Sequence, residues 1–132
     1  MNHFDIVVIG AGPAGGQMGR VMAKSGYKVL LVDQQKTFVN NDFSSAVTLL
    51  NTLEEFNLPD EIIGSFWNRF VAITTNTKQV WDSSQNLGVI LDFAKLKAFL
   101  ANEVKAYGGE AWLGCRYLKH RREKGETQVI LK

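Results

Sequence analysis

An apolar run at 4–9 empties directly into Gly10-Ala11-Gly12-Pro13-Ala14-Gly15, and a second apolar run at 27–32 ends on Asp33. Few folds accept that order. A continuous apolar stretch reads as a strand buried on both faces, and two such strands lying parallel need a crossover helix between them. Each glycine then has its own steric role. Gly10 turns the chain off the strand, Gly12 lets backbone approach a ligand where a Cβ would collide, and Gly15 lets helix and strand lie close. Pro13 suits the first helical turn, where its absent N–H would have had no partner. The helix is predicted to run to residue 24, with Gly26 closing it.

The turn so built aims unpaired helix N–H groups at one point, which is how a pyrophosphate is held. An acid at the end of the second strand accepts the hydroxyls of a ribose. Strand, turn, helix, strand and acid together therefore point to a dinucleotide, with Gly10, Ala11, Gly12, Pro13, Ala14, Gly15, Asp33 and Gln34 as the cofactor-binding residues and Asp33 at the ribose. Asp33 also repels a 2′-phosphate, which argues against NADP at this particular place.

The chain has 132 residues, 45% of them hydrophobic and 21% charged, which is enough to build one core. No linker divides it, so residues 1–132 are expected to form a single domain. A net charge of +2 gives no electrostatic reason to expect nucleic acid as a partner. No apolar stretch approaches a membrane span, and the start of the chain lacks the pattern of a secretory signal. Cys115 is the only cysteine, which excludes an internal disulfide and fits the cytoplasm.

Beyond Asp33 the polar segment 34–42 reads as a loop. Ala46, Leu49, Leu50, Leu53 and Phe56 then recur at helical spacing, so a helix capped by Ser44 or Ser45 is predicted over 44–56. Segments 70–74 and 79–81 read as an antiparallel hairpin, with 86–91 as a third strand beside it. Asp92 caps a further amphipathic helix that ends at Gly108-Gly109, and 110–113 is a third parallel strand. Segments 116–122 and 127–131 form a ribbon about Lys124-Gly125. The predicted fold is α/β: a Rossmann-like parallel sheet with helices on its faces and an antiparallel β excursion between the second and third parallel strands.

Residues 5–16 and 26–33 resemble the start of FAD-dependent oxidoreductases of the glutathione-reductase-like fold, and are most similar to the geranylgeranyl reductase and aromatic-ring hydroxylase branch. The Pro13-Ala14-Gly15 ending is more typical of FAD proteins than of nicotinamide dehydrogenases. A weaker similarity covers 91–96 and 107–111. The resemblance implies FAD as cofactor, NAD(P)H as co-substrate of the full-length enzyme, pyrophosphate contacts from Gly10 to Gly15, a ribose contact at Asp33, and adenine near the Tyr117 backbone. Two positions depart from the branch: Phe93 stands where an arginine is usual, and Asp42-Phe43-Ser44-Ser45 replaces a Cys-Gly-Gly element. The family continues for some hundreds of residues, so the resemblance also implies that this chain is the N-terminal part of a flavoprotein whose substrate domain lies elsewhere. A nicotinamide-binding dehydrogenase domain, or a non-catalytic dinucleotide-binding or interaction module, are the alternatives.

Elsewhere the residues read as structural. His3 and His120 have no base or metal partner at a useful spacing, the run 119–124 reads as a solvated hairpin, Glu54-Glu55 as the wet face of a helix, and Trp67, Trp81 and Trp112 as strand packing. No spacing suits a metal. On sequence grounds Asp33→Ala is expected to weaken adenine-dinucleotide binding by about 1–3 kcal/mol with little loss of stability, as read by calorimetric titration and thermal unfolding.

Overall fold

β1 (Ile6–Ile9) and β2 (Val29–Asp33) lie parallel, paired from Ile6 opposite Val29 to Ile9 opposite Val32. β8 (Glu110–Leu113) adds to the other side of β2, also parallel, from Leu30 opposite Glu110 to Asp33 opposite Leu113. The three parallel strands are those expected from the sequence, and β2 is the middle one. The computed structural model describes residues 2–39, 44 and 46–132. They group into two units: Met1–Asp42 with Leu96–Lys132, and Phe43–Lys95.

In the first unit the four apolar residues of β2 are all buried. α1 (Pro13–Lys24) buries Gly16, Gly19, Arg20 and Ala23, one face at i, i+3, i+4 and i+7. α3 (Phe93–Ala106) does the same with Lys97, Leu100, Ala101 and Val104. The core unites Ala11, Ala23, Val29, Leu31, Ala101 and Val104, with Ile6, Val8, Met22, Phe38 and Ala111 packed against it. Arg20 stands on the buried face of α1, and its charge is met by Glu103 at 3.4 Å and by the Phe99 ring at 5.2 Å. A buried guanidinium is tolerable only with such partners, so it ties α1 to α3 in one orientation. β9 (Tyr117–Glu123) and β10 (Glu126–Leu131) form the expected ribbon. Lys124 and Gly125 take φ of 49° and 87°, the left-handed pair that a two-residue hairpin turn requires.

The second unit contains β3 (Val47–Leu49), α2 (Asn51–Glu55), a 3₁₀ turn (Asp60–Ile62), β4 (Ile63–Trp67), β5 (Arg69–Ile73), β6 (Lys78–Asp82) and β7 (Gly88–Leu91). β7 lies between β3 and β4, antiparallel to both, while β5 and β6 form a separate hairpin. Val89 is fully buried, and Ile62 is 1% exposed. The hairpin is the one expected from the sequence.

Three expectations need correction here. Residues 47–49 are a strand, and only 51–55 are helical, where one helix over 44–56 was predicted. The spacing of Leu49, Leu50 and Leu53 suits a helix, but Val47 and Thr48 are β-branched, and a ladder to β7 wins over local periodicity. Ser44 accepts the Ala46 N–H at 3.1 Å and caps no helix; Asn40–Phe43 and Ser45 lie outside the described residues. The third strand of the excursion pairs with β3 and β4, not with the hairpin. β4 was not predicted, because Gly64 and Ser65 break the apolar pattern of Ile63, Phe66 and Trp67.

Asp92 precedes α3, and its Oδ1 accepts the Lys95 N–H at 2.9 Å, the geometry of an N-cap. That backbone donor, with the Lys95 charge at 3.5 Å, holds the Asp92 carboxyl below its ordinary range. A lowered folded-state pKa gives stability that is present above the ordinary carboxylate pKa and is lost as pH falls through the lowered one. Asp92→Ala is therefore expected to cost about 1 kcal/mol at neutral pH, the worth of a cap. Urea titrations of both proteins should show the difference narrowing as the pH falls below the ordinary carboxylate value; a difference that stays constant would contradict this.

Candidate dinucleotide-binding site

The end of β1 feeds the turn under tight constraint. Gly10 donates its N–H to Val32 O at 2.7 Å, the last rung between β1 and β2, and turns away with φ of 101°. Ala11, 1% exposed, is part of the core, which anchors the turn from below. Gly12 is the N-cap of α1 with φ of −69° and ψ of 178°, and its carbonyl receives the Gly16 N–H at 2.8 Å. Pro13 occupies the first helical position, as expected. The N–H groups of Ala14 and Gly15, in the first turn, have no acceptor within the helix, because that turn has none to offer.

Two glycines distinguish what the protein fills from what it leaves open. A Cβ on Gly15 would collide with the Gly10 carbonyl oxygen and lie 3.3 Å from Val8 Cγ1. Only glycine lets α1 start this close to β1. A Cβ on Gly12 would meet nothing within 4 Å. Among the described residues nothing fills the space beside Gly12, in contrast to Gly15. No acidic side chain stands in the first turn of α1, which leaves its positive end uncompensated.

Asp33 closes the site from the second strand. Its Oδ2 accepts the Ala11 N–H at 2.7 Å and its Oδ1 the Gln35 N–H at 2.8 Å. A carboxylate has about four acceptor positions, so about two are not used by these bonds. Turn and acid, 22 residues apart in sequence, are thus joined directly. Gln34 is exposed beside Asp33, and Ala14 is exposed on the helix.

Sequence reasoning missed the support beneath Asp33. Gly114 donates to Gln35 O and Cys115 to Asp33 O, each at 2.9 Å, so the exit of β8 braces the exit of β2. The signal was available: a parallel third strand next to β2 must end beside Asp33. Tyr117 starts β9, and its hydroxyl lies 2.8 Å from His120 Nδ1, a pairing that the sequence did not suggest. Among the described residues no group of histidine, cysteine and acid side chains could hold a metal, and no helix is long and apolar enough to cross a membrane.

With this geometry in view, residues 4–111 match the family described as pyridine nucleotide-disulphide oxidoreductase, and the chain belongs to that family. It is 32% identical over 128 residues to digeranylgeranylglycerophospholipid reductase of Haloferax volcanii, an alignment that covers 95% of this chain and 30% of the reductase. Among solved structures, a geranylgeranyl bacteriochlorophyll reductase-like protein from Thermoplasma acidophilum superposes with a TM-score of 0.85 at 19% identity, covering 97% of this chain and 34% of that one. Halogenase PltM, solved with phloroglucinol and FAD, superposes with a TM-score of 0.69 at 20% identity over 99% of this chain and 32% of that one. The chain therefore spans about a third of the length of the reductase it matches. Its resemblance to the geranylgeranyl reductase branch is borne out.

The two hydrogen bonds at Asp33 revise the expectation for its removal. Asp33→Ala leaves the N–H of buried Ala11 without its acceptor, so a stability loss of about 1–3 kcal/mol should accompany the loss of affinity. Thermal unfolding of the variant, beside calorimetric titration with ADP, checks both; an unchanged melting temperature would show that Asp33 does not brace the turn.

Proposed function

We propose that this chain holds the ADP moiety of FAD, as the N-terminal part of a flavin-dependent oxidoreductase of reductase or monooxygenase type. The observation that carries the reading is the open space over Gly12, flanked by the first-turn N–H groups of α1 and by Asp33. Gly10, Ala11, Gly12, Pro13, Ala14 and Gly15 form the pyrophosphate cradle, with Asp33 and Gln34 at the ribose. The residues fit the group: backbone donors meet a diphosphate, and a carboxylate with free acceptor positions meets a diol. Family membership, the reductase relative and the FAD-bound halogenase of like fold support this choice of dinucleotide.

When bound, the flavin supplies hydride chemistry, with NAD(P)H as the reductant. This chain's own residues bind and orient the adenine end of the cofactor. In this reading residues 1–132 act as one FAD-binding domain in the cytoplasm, and a substrate domain completes the enzyme.

Gly12→Val gives the sharpest test, because a Cβ at Gly12 meets no atom within 4 Å and enters the space assigned to the pyrophosphate. Wild type should bind ADP and FAD in calorimetric titration. Gly12→Val should keep its melting temperature within about 2 °C, as expected of a change that touches no packing, and should lose binding by at least about tenfold. Wild type that binds NAD and not FAD would favour a nicotinamide dehydrogenase domain. A wild type that binds neither would favour an interaction module.

A further inference from the structure

Lys97 is one of two buried charged residues among those described, and it lies outside the cradle of residues 10–15. It stands on the core-facing side of α3, 6% exposed, where the pattern calls for an apolar residue. Its ammonium donates to Phe38 O at 3.1 Å and lies 5.9 Å from the centre of the Phe38 ring. A buried ammonium is costly, and it holds its acceptor strongly because moving away would forfeit a charge-assisted bond. Phe38 in turn packs against the core.

Phe38 ends the stretch 34–38 that leaves Asp33. At the near end the Gln35 N–H donates to Asp33 Oδ1, and Gln35 O receives the Gly114 N–H. The loop is thus fixed at both ends, and one end fixes the carboxylate. We propose that Lys97 is a positioning residue for dinucleotide binding: by clamping Phe38 it holds the 34–38 loop so that the Gln35 N–H keeps the Asp33 carboxylate turned toward the ligand. The inference rests on the ADP-binding reading above.

Lys97→Met separates this role from a merely structural one. Methionine fills the volume of the lysine stem and removes the cost of a buried charge, so the core is retained while the Phe38 carbonyl loses its donor. Without that donor nothing from α3 holds the Phe38 carbonyl in place. The experiment uses the 132-residue chain, ADP as the probe, and amide hydrogen exchange of the free protein. Lys97→Met should bind ADP about tenfold more weakly, the scale of one lost hydrogen bond to a charged group. It should also exchange the Gln35 amide faster while the α1 amides keep their wild-type rates. Lys97→Arg, which keeps a cation and its donors, should stay within about threefold of wild type, well inside the loss expected for methionine.

Equal ADP affinity of Lys97→Met and wild type would overturn the proposal. So would weakened binding accompanied by faster exchange throughout α1, which marks global destabilisation. If Lys97→Met does not fold, Lys97→Leu, which likewise removes the donor, is judged by the same two outcomes. Wild type that fails to bind ADP brings down the dinucleotide reading itself, and is told apart by needing no variant.

Discussion

Everything in the first unit depends on one close approach, that of α1 to the end of β1. With a hydrogen in place of a side chain at Gly15, the Gly10 carbonyl can sit against the helix. That contact starts α1 directly over the strand end and presents its first turn outward. It also lets the buried face of α1 reach the apolar residues of β2. A methyl group at Gly15 would push the helix away, and with it the cradle and part of the core. Site and fold therefore share a single steric requirement.

The second dependency is the carboxylate of Asp33. It is a structural acceptor, because the N–H groups of Ala11 and Gln35 both end on it, and it is also the proposed ribose ligand. The proposed site is assembled by these bonds alone. The side chain need not be recruited from solvent, and its rotamer is set by the same backbone that builds the turn. Such preorganisation lowers the ordering cost of binding.

The parallel unit was legible because its signals are local and redundant. Apolar runs, Gly10, Gly12, Gly15, Gly26, Gly108 and Gly109 mark strand ends and turns, and Asp92 marks a helix start, so each boundary is written twice. The excursion was legible only where a turn encodes the pairing, as at residues 74–77, whose Thr74 N–H reaches Thr77 O at 2.8 Å. β3 was misread because three residues are too few to show a period, and its strand character comes from Ile90, Val89 and Gly88, about forty residues away. The same holds at the site. Gly10 to Gly15 and Asp33 follow from a motif, whereas the bracing by Gly114 and Cys115, and the buried Lys97, exist only once strands and helices have met.

The turn at Gly12 is main chain, and its neighbour Ala11 donates its N–H to the Asp33 carboxylate. A recognition surface made of main chain is written by backbone geometry, so it cannot be retuned by exchanging side chains one at a time. The converse is useful to a protein engineer. Met18 and Val21, at 48% and 42% exposure, lie on the outer face of α1 away from the core. Polar or charged residues at those two positions can raise solubility while leaving the proposed cradle of residues 10–15 as it is, because none of its atoms belongs to them.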